Sequence, residues 1–454
     1  MEKYSLEPTE ENIISSIKND ATGRNQALYL FLKMLSEQDG PWSVAIDAQW
    51  GYGKTFFVKQ VQYLIDGINQ GDKGDKDKIE DLVADNLGTD IKLDTNKIQY
   101  NTVYFDAWEH DNDDDPILSL TNEIAQTKWV MTDELFKLAF EVCRVGLKLA
   151  TNIDIKKISE SFNDWKNFED WKNFQKNKKD RQDGFTEALN KLITKSGKKL
   201  IFFIDELDRC KPIYAIKLLE RVKHYFGNEN ITFVVSMNIN ELQKTVRRYY
   251  GEEYNGEHYL YRFFDIFLEL PAPNLKNYYK MLSEKEDFSV GGISYWSYCN
   301  YLVSQFNFSL RDLNQFLLLS NSATFHFRRL SKIFYDCTQS DGFTNTVYMY
   351  LLPYMIALRM SSIEAYNSFV NGDSMGRLAE CLSGSQSFKK SMEVENDDAK
   401  EIVTNLYKGI FEKRDGRDEP FIKISDKLTL EDPKVCYEKL VSTCSMISSY
   451  VKYD

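Results

Sequence analysis

The chain has 454 residues, which is long enough to bury a large core and to form two or more domains. Its 69 acidic residues outnumber its 57 basic residues, and the net charge of −12 disfavours non-specific nucleic-acid binding by the whole surface. Seven cysteines and four histidines are dispersed along the chain, which argues against a disulfide framework or a transition-metal site and favours a reducing, cytoplasmic setting.

The first motif is a glycine-containing turn between a predicted strand and a predicted helix. Helices are expected over residues 1–40, and residues 44–46 form a short apolar run typical of a strand. The string AQWGYGKT (48–55) nearly matches the phosphate-binding pattern G-x-x-x-x-G-K-[ST]. Ala48 replaces the first glycine, and we expect its methyl group to be tolerated if φ stays negative. The predicted nucleotide-binding residues are Ala48, Gln49, Trp50, Gly51, Tyr52, Gly53, Lys54, Thr55 and Phe56.

Lys54 and Thr55 would carry the chemistry of this loop. A lysine in this position reaches the β- and γ-phosphates of a nucleotide, and the following hydroxyl is placed to hold Mg²⁺. A glycine turn followed by a chance Lys-Thr pair is the competing interpretation. A second element is therefore needed to support a nucleotide site.

Two inserts are predicted, at about residues 66–97 and 111–197. Residues 66–88 alternate acids and lysines and are interpreted as a solvent-facing insertion. Residues 135–150 are apolar but include four charged side chains, which predicts an amphipathic helix instead of a membrane span. A second apolar run, at 347–358, is too short to span a membrane and is interrupted by Pro353. No membrane span is predicted.

An aromatic repeat lies in the second insert. The string Asp-Trp-Lys-Asn-Phe occurs twice within residues 162–184, and lysines follow it. Trp171 and Phe174 lie beside these lysines, and aromatic rings in a basic segment can stack on the bases of single-stranded nucleic acid. The favoured interpretation is that the rings pack against the core or a partner subunit. Nucleic acid is therefore a disfavoured partner.

The second element of the site is the string KKLIFFIDELDRCKP (198–212). Residues 200–204 form a continuous apolar run typical of a strand buried on both faces. Asp205 at its end suits a carboxylate that holds Mg²⁺, and Glu206 suits the base that polarises the attacking water. Acids that cap a strand before a turn are the alternative for one carboxylate alone. The loop and the acids together predict an ATP- or GTP-type site with Thr55 and Asp205 as Mg²⁺ ligands.

The order of the predicted elements indicates an α/β fold. Strands at 98–105, 199–205 and 231–238 are separated by helical patterns, which predicts a parallel sheet with helices on both faces. We therefore expect a three-layer P-loop NTPase core over residues 1–275. Residues 276–454 are predicted to form a helical C-terminal domain that acts as a lid and sensor.

Three strings resemble motifs of the KAP family of P-loop NTPases: AQWGYGKT (48–55), VYFDAWEH (103–110) and IFFIDELDRC (201–210). Weaker matches at 23–28, 259–273 and 309–320 extend the resemblance over residues 20–320. The chain departs from the family pattern at four positions. These are Ala48 for the usual glycine, Glu206 for the usual second aspartate, Asp106 for the usual asparagine, and Arg262 where lysine is common.

The resemblance implies roles for further residues. It implies that the strand at 231–238 lies between the loop strand and the acidic strand, with Asn238 near the γ-phosphate or the catalytic water. A helix cap is the equal alternative for Asn238. Arg311 is expected to sense the γ-phosphate within the chain, and Arg209 is expected to act at a subunit interface. The predicted catalytic residues are Glu206, Asp205, Arg311, Arg209 and Asn238.

The resemblance also implies an activity. The implied activity is Mg²⁺-dependent hydrolysis of ATP, with ATP preferred over GTP, by a member of the family without membrane helices. The implied role is a homo-oligomer in bacterial defence against phages or plasmids. The chain shows no nuclease or protease constellation, so a separate effector protein is expected. The alternatives are a nucleotide-gated scaffold for an effector and a DNA-stimulated motor, and the acidic balance disfavours the motor.

Overall fold

The computed structural model describes most of the chain in two compact units. The described residues are 7–37, 41–70, 73–86, 93–130, 132–150, 178–225, 229–285, 292–333, 341–412, 420–425 and 428–449. The first unit comprises Pro8–Ala272, and the second comprises Pro273–Asp454 together with Met1–Glu7. The aromatic repeat at 162–177, including Trp171 and Phe174, lies outside the described residues.

A parallel sheet forms the centre of the first unit. Its strands, within the described residues, are β1 (Ser43–Asp47), β2 (Tyr100–Asp106), β3 (Lys199–Asp205), β4 (Ile231–Met237) and β5 (Ile266–Glu269). Their order is β2-β3-β4-β1-β5, and every neighbouring pair is parallel. The predicted position of the 231–238 strand between the loop strand and the acidic strand is confirmed. The edge strand β5 was not predicted.

The central strands form because their residues are apolar and buried on both faces. All seven residues of β4 and six of the seven in β3 are buried. Phe202 and Phe233 stack across these two strands with ring centroids 5.1 Å apart. Helices and short 3₁₀ turns flank the sheet, which confirms the α/β prediction. The helices are Glu10–Lys18, Asn25–Glu37, Lys54–Gln70, Lys73–Asn86, Pro116–Gln126, Asp133–Ala150, Lys178–Ser196, Pro212–Tyr225, Ile239–Tyr250 and Gly256–Leu260, and the 3₁₀ turns are Thr95–Lys97 and Leu207–Arg209.

The interpretation of residues 66–88 as a solvent-facing insertion is wrong for its helical part. The helix Lys73–Asn86 carries Ile79, Leu82 and Val83, and all three are buried. These positions share one helix face, which packs on the helix Lys54–Gln70. A Cβ atom at Gly67 would lie 2.5 Å from Ile79 Cγ1, so the two helices approach closely there. The charges between these positions concealed the apolar stripe.

The two apolar segments tested for membrane spans are helices of the fold. Residues 135–150 belong to the helix Asp133–Ala150, in which Ala139 and Val142 are fully buried, as an amphipathic helix requires. The second run lies in the helix Asp341–Ser361, which continues through Pro353 instead of being interrupted there. No helix among the described residues is both long enough and apolar enough to cross a membrane.

The second unit is mainly helical and has an aromatic core. Phe369 lies at its centre, and its ring is within 5.5 Å of the rings of Tyr354, Tyr407 and Phe411. A short antiparallel pair, β6 (Phe421–Lys423) and β7 (Thr429–Glu431), was not predicted. The helices are Leu275–Lys285, Gly292–Gln305, Leu310–Ile333, Asp341–Ser361, Ile363–Val370, Leu378–Gly384, Gln386–Met392, Asn396–Phe411 and Pro433–Ser449.

Candidate nucleotide site

The predicted phosphate loop connects β1 to the helix Lys54–Gln70 through two glycines. Gly51 and Gly53 have φ angles of 78° and 79°, in the left-handed region that favours glycine. Ala48 keeps a negative φ, and its N–H donates to the carbonyl of Met237 on β4 at 3.2 Å. A methyl group at position 48 is therefore compatible with this turn.

Lys54 and Thr55 lie at the start of the helix and face the acidic turn. The Lys54 ammonium is buried and donates to the carbonyl of Ala48 at 2.9 Å. Burial lowers the pKa of Lys54. Three carboxylates oppose that decrease, in the order Asp208, Glu206 and Asp205. The Thr55 hydroxyl donates to Glu206 Oε1 at 3.5 Å, so the structure brings the loop and the acids together.

Arg24 supports the loop from beneath and was not predicted as a site residue. Its side chain is 1% exposed, and it donates to the carbonyl of Tyr52 at 2.6 Å. The same guanidinium donates twice to the carbonyl of Pro271, just beyond β5, at 2.8 and 2.6 Å. Burial lowers the pKa of Arg24 to about 10. The only sequence signal was the weak family match at 23–28.

Asp205 is the last residue of β3 and is completely buried. Its Oδ1 accepts from the N–H of Glu206 at 2.9 Å, and its Oδ2 accepts from the hydroxyl of Tyr104 on β2 at 3.1 Å. The Lys59 ammonium lies 3.0 Å from the centre of the Tyr104 ring. Tyr104 is a second residue that sequence reasoning missed, since it lies inside an apolar strand. These contacts fix the orientation of the Asp205 carboxylate.

Glu206 leaves the strand in an unusual backbone conformation. Its φ of 58° and ψ of 26° place a residue with a side chain in the left-handed region. Its Oε2 lies 2.6 Å from Arg209 Nε in an ion pair. Burial raises the pKa of Glu206 to about 7, with a further increase from Asp205 and an opposing effect from Arg209. A carboxyl group with a pKa near neutrality is suited to accept a proton.

The predicted arginines occupy different parts of the structure. Arg209 belongs to the turn Leu207–Arg209, where its guanidinium also lies 5.4 Å from the centre of the Trp108 ring. Arg311 is the second residue of the helix Leu310–Ile333 in the other compact unit. Arg262 is exposed in the first unit. The structure pairs Arg209 with Glu206 of its own chain, and the finger and sensor roles stay predictions.

Asn238 caps the helix that follows β4. Its side-chain oxygen accepts from the N–H groups of Asn240 and Glu241 at 3.2 and 3.4 Å. The cap, one of the two interpretations of Asn238, is therefore present, and its catalytic role stays a prediction. The neighbouring hydroxyl of Ser236 is buried and makes no hydrogen bond with the described residues.

The other loop residues contribute in different ways. The Gln49 carbonyl lies 3.5 Å from Lys54 Nζ, and Phe56 packs into the core with 5% exposure. Trp50 is 46% exposed, and its indole N–H donates to Asp208 Oδ2 at 2.5 Å. Asp208 is thus the third residue near the loop that was not predicted as a site residue.

The donor set near the loop suits Mg²⁺. Mg²⁺ is bound in such sites through one or two protein oxygens together with substrate phosphates and water. The Thr55 hydroxyl and the Asp205 carboxylate are oxygen donors of this kind, and Glu206 contacts both, the hydroxyl through its carboxylate and the carboxylate through its backbone N–H. Among the described residues, no group of three or more His, Cys, Asp or Glu side chains could hold a metal ion. The arrangement fits an ion that is held jointly by protein and nucleotide.

Comparison with known proteins identifies the domain that contains this site. A family model described as the KAP family P-loop domain matches residues 24–319, which is more than half of the chain. No curated protein matches the chain. The matched range includes the loop, both acids of the β3 end and Arg24.

Proposed function

The chain belongs to the KAP family of P-loop NTPases, and from this premise we propose that it binds ATP with Mg²⁺ and hydrolyses the bond to the γ-phosphate. The observation that carries the proposal is the approach of Thr55 to Glu206, 3.5 Å between their side-chain oxygens. This approach joins the end of the loop to the acidic end of β3, at the carboxyl edge of the sheet, where α/β folds bind ligands.

Each residue has a physical task in this proposal. The loop N–H groups and the Lys54 ammonium would hold the β- and γ-phosphates. Thr55 and Asp205 would hold Mg²⁺, which when bound neutralises charge on the phosphate oxygens. Glu206 would accept a proton from the attacking water, and its pKa near 7 suits that transfer. Tyr104 would keep the Asp205 carboxylate oriented through its hydrogen bond.

The experiment compares the wild-type chain with three variants in ATP binding and steady-state turnover. Lys54→Ala should lose tight ATP binding, because it removes the ammonium from the phosphates. Glu206→Gln should keep binding while turnover falls by about 100-fold or more, because an amide cannot act as the base. Lys244→Ala, at an exposed helix position, is the matched control. Unchanged affinity in Lys54→Ala would contradict the site assignment.

GTP is the competing nucleotide in the same assay. ATP is proposed on the resemblance to the family, whereas residues 177–180 read Asn-Lys-Lys-Asp, an Asn-Lys-x-Asp pattern of the guanine-reading kind. The last three of these residues begin the helix Lys178–Ser196. Preferential turnover of GTP would replace ATP in the proposal without changing the roles of the loop and the acids.

The biological role proposed here rests on the resemblance alone. It is an oligomerising ATPase of bacterial defence against phages or plasmids that recruits a separate effector. If Arg209 or Arg262 completes the site of a neighbouring copy, an arginine-to-alanine chain mixed with a Glu206→Gln chain should recover part of the activity. A particle that stays monomeric in ATP and shows no recovery would argue against a shared site.

A further inference from the structure

We infer that Trp50 and Asp208 form a positioning contact, here called the loop clasp, which sets the phosphate loop against the acidic turn during hydrolysis. The inference rests on the proposed ATPase function and adds two residues to it. The Trp50 indole N–H donates to Asp208 Oδ2 at 2.5 Å. Asp208 is 6% exposed, so this bond to a carboxylate is shielded from water on its acceptor side.

The clasp joins two segments whose relative position is not fixed by local structure. Trp50 lies in the loop between β1 and the helix Lys54–Gln70. Asp208 lies 158 residues later in the single turn Leu207–Arg209, which begins after the left-handed backbone of Glu206. One 3₁₀ turn is a weak element, so its position depends on tertiary contacts. The clasp and the Thr55–Glu206 contact are two direct links between the loop and this turn.

The charge of Asp208 also acts on the loop lysine. Among the carboxylates near Lys54, Asp208 interacts most strongly with the ammonium, ahead of Glu206 and Asp205. Its second oxygen, Oδ1, is buried and makes no hydrogen bond with the described residues. Asp208 therefore holds Trp50 with one oxygen and contributes negative charge near Lys54. A neutral side chain of the same shape would keep the first property and lose the second.

Loss of the clasp should affect turnover more than binding. The loop amides and Lys54 would still hold the phosphates, because they belong to the loop itself. The base and the proposed Mg²⁺ ligand at the end of β3 would shift relative to those phosphates, and small misplacements of reacting groups are costly to the rate. The expected signature is a lower kcat with little change in KM.

The test uses Trp50→Phe, Asp208→Ala, Asp208→Asn and the double variant Trp50→Phe/Asp208→Ala, with Tyr249→Phe as a control at another exposed aromatic residue. Trp50→Phe and Asp208→Ala should each lower kcat by about 10-fold or more, with KM changed by less than about 3-fold. Asp208→Asn should retain more activity, since its amide oxygen accepts the same hydrogen bond. The double variant should be no slower than Asp208→Ala, and Tyr249→Phe should match the wild type.

A second measurement follows the contact itself in the full chain. In a spectrum of protein labelled with ¹⁵N-tryptophan, the indole signal that disappears in Trp50→Phe belongs to Trp50. That signal should move in Asp208→Ala and move less in Asp208→Asn. Wild-type kcat in Trp50→Phe, additive losses in the double variant, or an unmoved indole signal would overturn the clasp. Absence of hydrolysis by the wild type would overturn the proposed function and the positioning role, while the indole signal would still decide whether the contact exists.

Discussion

Replacement of Arg24 by methionine should loosen the phosphate loop while every predicted nucleotide-binding residue stays in place. Arg24 is buried and donates three hydrogen bonds, one to the Tyr52 carbonyl and two to the Pro271 carbonyl. Methionine has a similar length and fills the same space, so the variant removes the donors and the charge with little change of volume. The loop would then lose its link to the segment after β5.

The size of the effect follows from the two carbonyl groups. A buried acceptor that loses its donor costs about 1–3 kcal/mol, so two carbonyls correspond to about 2–6 kcal/mol. Because about 1.4 kcal/mol is a factor of ten in an equilibrium constant, a local loss of about 2 kcal/mol would raise the equilibrium population of the open loop about 30-fold. Arg24→Lys should keep only part of the stability of the closed loop, since one ammonium cannot reproduce the fork of the guanidinium.

Hydrogen exchange measured by mass spectrometry on peptides that cover residues 43–60 reports this opening directly. Exposed Arg248→Met is the matched control, and it should change neither exchange in this region nor ATP affinity. In Arg24→Met, faster exchange should accompany an increase of about 10-fold or more in the Kd for ATP. Unchanged exchange together with a Kd within about 2-fold of the wild type would refute the role assigned to Arg24.

Three further predictions concern stability. Burial raises the folded-state pKa of Asp66 from 3.8 to about 6, so the charged carboxylate destabilises the fold. Asp66→Asn should therefore raise the free energy of unfolding by about 1–3 kcal/mol above pH 6. That gain should vanish as the pH falls below 3.8, which thermal unfolding at several pH values would show. In denaturant titrations, Ile79→Ala should destabilise the first unit by about 2–4 kcal/mol, and exposed Asp81→Ala should destabilise it by less than about 0.5 kcal/mol. Equal effects would contradict packing of the helix Lys73–Asn86. Asn238→Ala should cost about 1 kcal/mol while Asn238→Ser keeps the cap, and a loss of turnover in a stable Asn238→Ser chain would assign the residue a further role.

Patterns of apolar residues made the central strands predictable. Residues 200–204 are apolar at consecutive positions, and five of the eight residues at 231–238 are apolar, which is typical of strands buried on both faces. The edge strand β5 is only four residues long and partly exposed, and its apolar run at 266–268 is too short to distinguish a strand. The helix Lys73–Asn86 was misread for a similar reason, since three buried residues among many charges give a weak periodic signal.

The local chemistry of the site is encoded in short strings of the sequence: glycines at the two positions with positive φ, a lysine and a hydroxyl at the helix start, and two acids at a strand end. These features depend on neighbouring residues, so a short string is enough to recognise them. The contacts of Arg24 with Pro271, 247 residues away, and of Trp50 with Asp208 arise from long-range packing and have no signal in the sequence pattern. A buried arginine or an indole N–H can bond to many acceptors, and the packing of the sheet and its loops selects which acceptor lies within reach.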